Sequence, residues 1–283
     1  MNNKLKSAFI SSFIAVAVIF SLYGLYLISQ GYLAGFGLVL AHGVWVVFFL
    51  KQWLRPVARI KPQLHGWRLL AVLGVLISGI NGGVEWPMLA ALGWLGGVFY
   101  SFWYGKLNRS ATAIKVGDAM PYLPLLTADG QSTNTHEFAG KRLVFLFYRG
   151  NWCPFCVAQI RELAQQYQQL RAKGIELVLV SGQSQSKTKA LAEQFTIPIH
   201  FRVDNDLSAA QALGLVHKDG LPAGLAILGY DLDVALPTLV AVDESGKVIA
   251  VDATDNYRVR PEPETFLRCF DDPANMLEDA SAT

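Results

Sequence analysis

Acidic residues are almost missing from the first 113 positions of this 283-residue chain, where Glu85 stands alone against nine lysines and arginines. The remainder reverses the balance, with 21 acidic and 15 basic side chains. The net charge of +2 therefore averages two unlike halves. Neither half has the basic face that nucleic-acid binding needs, so no nucleic-acid partner is expected. Cysteine is scarce as well, at three, and the five histidines (His42, His65, His136, His200 and His217) show no paired spacing. A structural zinc ion takes four sulfur or nitrogen ligands. Cys153 and Cys156 lack the second pair that would make them half of such a site, and no metal is expected.

What the first half has instead is apolar length. Membrane spans are expected at 7–29, 31–50, 67–84 and 86–104, making 1–113 an all-α bundle of four transmembrane helices. A span takes about 20 apolar residues. One helix over 69–104 would run about 54 Å, so Asn81-Gly82-Gly83 and Glu85-Trp86-Pro87 are read as a turn. The first run is too long for the core of a cleaved leader and is read as a permanent span. Lys4 and Lys6 precede the first span, and Lys51, Arg55, Arg59, Lys61 and Arg68 fill the second connection. Lys106, Arg109 and Lys115 follow the fourth span. All of this positive charge falls on one face, which the positive-inside rule makes cytoplasmic. With four spans the second half shares that face of the cell (inner) membrane; three spans would export it, the periplasmic alternative. Gly31-x-x-x-Gly35 and Gly93-x-x-x-Gly97 suit close helix approach. His42 is expected to be neutral and hydrogen-bonded to a neighbouring helix.

After Ile114 the pattern alternates. Strands are expected at 144–148, 176–181, 200–203, 239–243 and 248–252 from their β-branched and aromatic content. Helices are expected at 154–172, 187–195, 207–213 and 261–270, the first closed by Gly174. Asp243-Glu244-Ser245-Gly246-Lys247 reads as a hairpin turn. Residues 114–272 then form one α/β domain and 273–283 a disordered tail. The most informative segment is Trp152-Cys153-Pro154-Phe155-Cys156. An apolar strand delivers the first sulfur to a helix N-terminus, where the dipole favours a thiolate. The second sulfur, one turn deeper, can close a disulfide onto the first. Cys269 sits among apolar neighbours and reads as a buried structural thiol.

Three stretches carry a family resemblance: Val116-Gly117-Asp118-Ala119-Met120-Pro121, then Phe147-Tyr148-Arg149-Gly150-Asn151-Trp152-Cys153-Pro154-Phe155-Cys156, then Leu236-Pro237-Thr238-Leu239 followed by Asp243 and Gly246. They resemble the thioredoxin-like superfamily and, within it, the peroxiredoxin-like (alkyl hydroperoxide reductase/thiol-specific antioxidant) branch. The resemblance implies an α/β thioredoxin-like fold, a central mixed sheet flanked by helices. It implies Cys153 and Cys156 as the catalytic pair, a redox-active disulfide in place of any cofactor, and Trp152, Pro237 and Thr238 at the substrate. It also implies a cis bond between Leu236 and Pro237. The departures matter. Aligning the peroxidatic cysteine of that family with Cys156 puts Cys153 where it has a hydroxyl residue and Arg149 where it has proline. Leu236 then falls near the place of its peroxide-orienting arginine. The buried acid of thioredoxin is replaced by Phe147. Arg149 either lowers a thiol pKa as a nearby cation or is a solvated loop residue. The leading expectation is a membrane-anchored thiol–disulfide oxidoreductase that exchanges electrons with protein or small-molecule thiols, Cys153 attacking and Cys156 resolving. One alternative is a peroxide reductase acting on hydroperoxides, with Cys156 peroxidatic and Cys153 resolving. Another is a redox sensor or assembly module without turnover.

Overall fold

A computed structural model describes residues 2–80, 83–107, 109 and 112–271. Four helices come first: α1 (Asn2–Ser29), α2 (Ala34–Leu54), α3 (His65–Ser78) and α4 (Glu85–Phe99), the last continued by a π-helical stretch, Tyr100–Tyr104. By length and composition α1 and α2 are able to cross a membrane. α3 has only 14 residues, about 21 Å of helix, because it stops at Gly79 instead of reaching residue 84. Asn81 and Gly82 of the expected turn lie outside the described residues, as does the expected tail at 273–283. Small residues let the helices meet backbone to backbone. A Cβ on Gly35 would lie 2.5 Å from the Gly24 carbonyl oxygen, and one on Gly93 would lie 2.6 Å from that of Ala41. Gly31 serves the α1–α2 turn instead, at φ +84°. His42 is buried and bonds through Nε2 to the Leu89 carbonyl of α4 at 3.0 Å, as expected.

The second half is built on a seven-stranded sheet in the order β2-β1-β5-β4-β3-β8-β9. Its strands are β1 (Pro124–Thr127), β2 (Ser132–Asn134), β3 (Arg142–Phe147), β4 (Ile175–Ser181), β5 (His200–Val203), β8 (Thr238–Val242) and β9 (Val248–Asp252). β3, β4 and β5 run parallel, while β1, β8 and β9 pair antiparallel with their neighbours. A short pair, β6 (Val216–His217) and β7 (Val234–Ala235), stands apart. The helices are α5 (Pro154–Gln165), α6 (Tyr167–Ala172), α7 (Gln185–Ala192), α8 (Ser208–Ala212) and α9 (Pro263–Cys269). β3 is central and apolar at every position from Leu143 to Phe147, as a strand covered on both faces must be. The helix expected over 154–172 is broken at Gln166 (φ −86°, ψ 7°). Gly174 ends α6 at φ +67°, its N–H on the Arg171 carbonyl at 2.9 Å.

The two halves are joined by polar bonds at the basic end of the bundle. Arg258, fully buried, donates to the carbonyls of Pro62 and Ser101 at 2.9 Å each and Tyr100 at 3.3 Å. The Ile60 N–H donates to the Arg258 carbonyl at 2.9 Å, and that of Leu107 to Asp255 at 2.5 Å. Arg59 pairs with Glu162 at 2.5 Å and Glu262 at 2.8 Å. Tyr257 completes the seam, its hydroxyl 2.7 Å from that of Tyr100.

Candidate active site

β3 aims its C-terminal end at this seam. Tyr148 still bonds to the Val180 carbonyl (3.0 Å), after which residues 149–152 turn the chain into α5. Gly150 sits at φ +150°, and a Cβ there would lie 2.6 Å from Trp152 Nε1, so the turn requires glycine. Gln183, just beyond β4, braces it: its Oε1 accepts the Asn151 N–H at 2.8 Å, and its Nε2 donates to the Tyr148 hydroxyl at 3.1 Å. Cys153 caps α5, its carbonyl taking the N–H groups of Cys156 (3.0 Å) and Val157 (3.1 Å). Pro154 fills the first helical position, where no N–H is required. Both cysteines are free thiols and 1 % exposed, their Sγ atoms 2.9 Å apart and joined by one hydrogen bond.

Three arginines converge here. Arg149 is buried rather than solvated: it donates to the Gly220 carbonyl, and its guanidinium lies 4.7 Å from the Trp152 ring centre and 5.5 Å from that of Tyr257. Arg260, also buried, brings Nη2 to 4.0 Å from Cys156 Sγ. Arg109 donates to Thr238 Oγ1 at 3.0 Å, to the Thr254 carbonyl at 2.6 Å and to the Pro237 carbonyl. Neither Arg109 nor Arg260 stands out in the sequence as a site residue, since each reaches the sulfurs or the β8 entrance across more than a hundred positions.

Burial pushes both thiols up, but the hydrogen bond from Cys153 and the charges of Arg260 and Arg149 bring Cys156 down to about 6. Cys153 rises well above its ordinary value, through burial first and then through its partner sulfur. The two sulfurs share one proton near neutral pH. Cys269 belongs elsewhere. It is buried in α9 with its thiol on the Thr265 carbonyl at 3.3 Å, and burial raises it to about 11.

Pro237 and Thr238 differ from expectation. The described residues contain no cis peptide bond, and Leu236–Pro237 is trans. The Leu236 N–H bonds to the Leu215 carbonyl at 2.6 Å and Arg109 holds the Pro237 carbonyl, so the chain runs straight into β8. Thr238 is buried, its Oγ1 accepting from the same arginine. Trp152 instead borders an apolar chamber of about 260 Å³ in the seam. Cys153, Arg149 and Phe155 share that wall, while Tyr100 and Tyr104 face them from the bundle; Cys156 lies behind.

Residues 115–266 match the family model described as Redoxin. The chloroplastic peroxiredoxin Q of Populus jackii is 31 % identical over 91 residues, covering 32 % of this chain and 43 % of that protein. The chain thus spans less than half of that relative. The thiol-disulfide oxidoreductase ResA of Geobacillus thermodenitrificans (strain NG80-2) is 25 % identical over 162 residues, 57 % of this chain and 78 % of ResA. Among solved structures, reduced Prx3 from Vibrio vulnificus aligns at TM-score 0.49 with 23 % identity, covering 56 % of this chain and 99 % of that one.

Proposed function

The chain belongs to the redoxin family, and from that premise we propose that it is a membrane-anchored thiol–disulfide oxidoreductase working through the Cys153/Cys156 dithiol. The observation that carries this reading is two free thiols 2.9 Å apart at the start of α5, with a guanidinium 4.0 Å from the inner sulfur. Cys153 faces the chamber and is the sulfur a substrate meets. Its proton passes to the Cys156 thiolate 2.9 Å away, and the Cys153 thiolate so formed attacks one sulfur of a partner disulfide, giving a mixed disulfide and one released thiolate that takes the proton from Cys156. Cys156 then attacks Cys153 Sγ, closing the internal disulfide and releasing the second thiol. The dithiol loses two electrons and the partner gains them; a reducing dithiol runs the same steps backwards. Arg260 and Arg149 hold the negative charge that passes between the sulfurs. Trp152 shapes the approach, whereas Pro237, Thr238 and Arg109 support the sheet end beneath it.

The helices of the first half anchor this unit, with α1 and α2 the strongest membrane candidates. The redox domain is cytoplasmic in this reading, because it packs on the end of the bundle that carries the lysines and arginines. An alkaline phosphatase fusion at the C-terminus is expected to be inactive; activity there would place the domain in the periplasm. The function itself is tested with purified full-length protein and glutathione disulfide. Cys153→Ser is expected to abolish reduction, and Cys156→Ser to accumulate the mixed disulfide. Unchanged turnover in Cys153→Ser would defeat the assignment.

One observation favours peroxide reduction as a second reading: the acidified Cys156 beside Arg260, a cation supplied from more than a hundred positions away. Cys156 thiolate would take the terminal peroxide oxygen, releasing alcohol or water, and Cys153 would condense with the sulfenic acid to give the disulfide and water. Stopped-flow mixing with hydrogen peroxide decides it, since oxidation no faster than that of a free thiol removes this reading.

A further inference from the structure

The chamber in front of Cys153 has one mouth of unusual composition. On the bundle side lie Ile14 of α1 and Trp53 of α2, the tryptophan 68 % exposed. On the other side residues 221–223 are stitched to α1: Ser7 Oγ donates to the Leu221 carbonyl (2.5 Å), Ser11 Oγ to that of Ala223 (2.6 Å), and the Ala223 N–H to that of Ser7 (3.1 Å). The chain then makes a 3₁₀ turn, Leu225–Leu228, that holds Ile227 89 % and Leu228 63 % exposed. On the membrane-anchored reading, an exposed apolar turn bound to the flank of a spanning helix lies at the lipid interface. Both lips of the mouth then face lipid, and Cys153 lines the chamber behind them.

We infer that the chamber admits a lipid-soluble quinone from the bilayer and that the Cys153/Cys156 dithiol reduces it. This inference rests on the membrane-anchored dithiol reading above. A substituted ring fits about 260 Å³ with its tail leaving through the mouth. The walls are flat aromatic rings (Trp152, Phe155, Tyr100, Tyr104), and the Arg149 cation stands beside them to balance charge developing on a quinone oxygen. The electron count matches. The two thiols lose two electrons and two protons and form one S–S bond, while the two quinone carbonyls become the two hydroxyls of a hydroquinone. Cellular dithiols, the exchange partners already proposed, reopen the disulfide.

The test uses reduced full-length protein in lipid nanodiscs with a benzoquinone whose ring carbons are all substituted, so that no thiol adduct can form. A decyl-tailed form is compared with a tail-less one, and glutathione disulfide is run in parallel. The expected result is one hydroquinone per disulfide, about tenfold faster with the tail than without, and a loss of about tenfold in Ser11→Trp, which fills the mouth. Leu228→Asp, outside the chamber, is expected to raise KM for the tailed quinone with kcat unchanged, and serves where Ser11→Trp does not fold. Oxidation by glutathione disulfide without hydroquinone overturns the quinone inference and leaves the dithiol reading standing. Oxidation by a decyl hydroperoxide but not by the quinone also overturns it. Silence towards both glutathione disulfide and quinone overturns the dithiol reading and this inference together.

Discussion

Replacing Arg260 with methionine keeps its apolar stem and removes one charge 4.0 Å from Cys156 Sγ. At an effective dielectric of about 20, a full charge at that distance is worth about 4 kcal/mol, an upper bound of about three pKa units. Arg149 remains and shares the thiolate, so the expected rise from about 6 is at least about one unit. The thiolate fraction at pH 7 then falls from about nine-tenths to about half. Turnover is a poor reporter, because nucleophilicity rises by about 0.4–0.5 log units per pKa unit and masks the loss. The assay is therefore the ultraviolet thiolate absorbance of the reduced protein titrated with acid, with Cys156→Ser as the blank. Arg260→Lys retains a cation and is expected to titrate between the wild type and the methionine variant. A midpoint unmoved in Arg260→Met, with native circular dichroism, would refute the claim that this guanidinium acidifies the pair.

Gly150→Ala is expected to cost about 1–3 kcal/mol, because an L-residue is strained at that φ and must displace Trp152; the midpoint of thermal unfolding of the reduced protein reads it. Gly93→Leu forces a side chain against the Ala41 carbonyl and is expected to lower the thermal stability of the detergent-solubilised chain while leaving the redox domain's disulfide exchange chemistry unaltered in whatever remains folded. His217 is held down to about 3 by burial, then by Arg149, Lys6 and Arg109. Its folded pKa lies below the ordinary value of about 6.5, so the stability it contributes is complete above that value and is lost as pH falls towards 3. His217→Phe is expected to flatten the decline in unfolding temperature between pH 7 and pH 4, and an unchanged slope would count against this.

What the sequence announces is local. The run from Leu143 to Phe147, the dithiol spacing and the cap geometry of Pro154 all lie within about one strand and one helix, where periodicity and capping rules apply. The strands at 200–203 and 248–252 and the stop at Gly174 are legible for the same reason. The charges around the sulfurs are not local. Arg260 and Arg109 become site residues only because the β8–β9 hairpin and the bundle exit fold back to the end of β3. Arg149 was visible, but its burial depends on Tyr257 and Gly220, far along the chain. The resemblance puts Pro237 and Thr238 at the substrate, and nothing near them in sequence reveals that Arg109 bonds both. The two-residue strands β6 and β7 are too short for alternation to mark. α3 fell short of its apolar run because hydropathy measures solubility in lipid and not where a helix ends.

Arg258 ties together the two sides of the partition at residue 113. Its guanidinium takes carbonyls from the α2–α3 connection and from the last turn before the sheet domain. A fragment cut from the first half would leave that cation with none of these acceptors and lay Tyr257 bare. Grafting the second half onto a different helical partner would fail for the same reason, since the first half is one wall of the room in which the sulfurs lie.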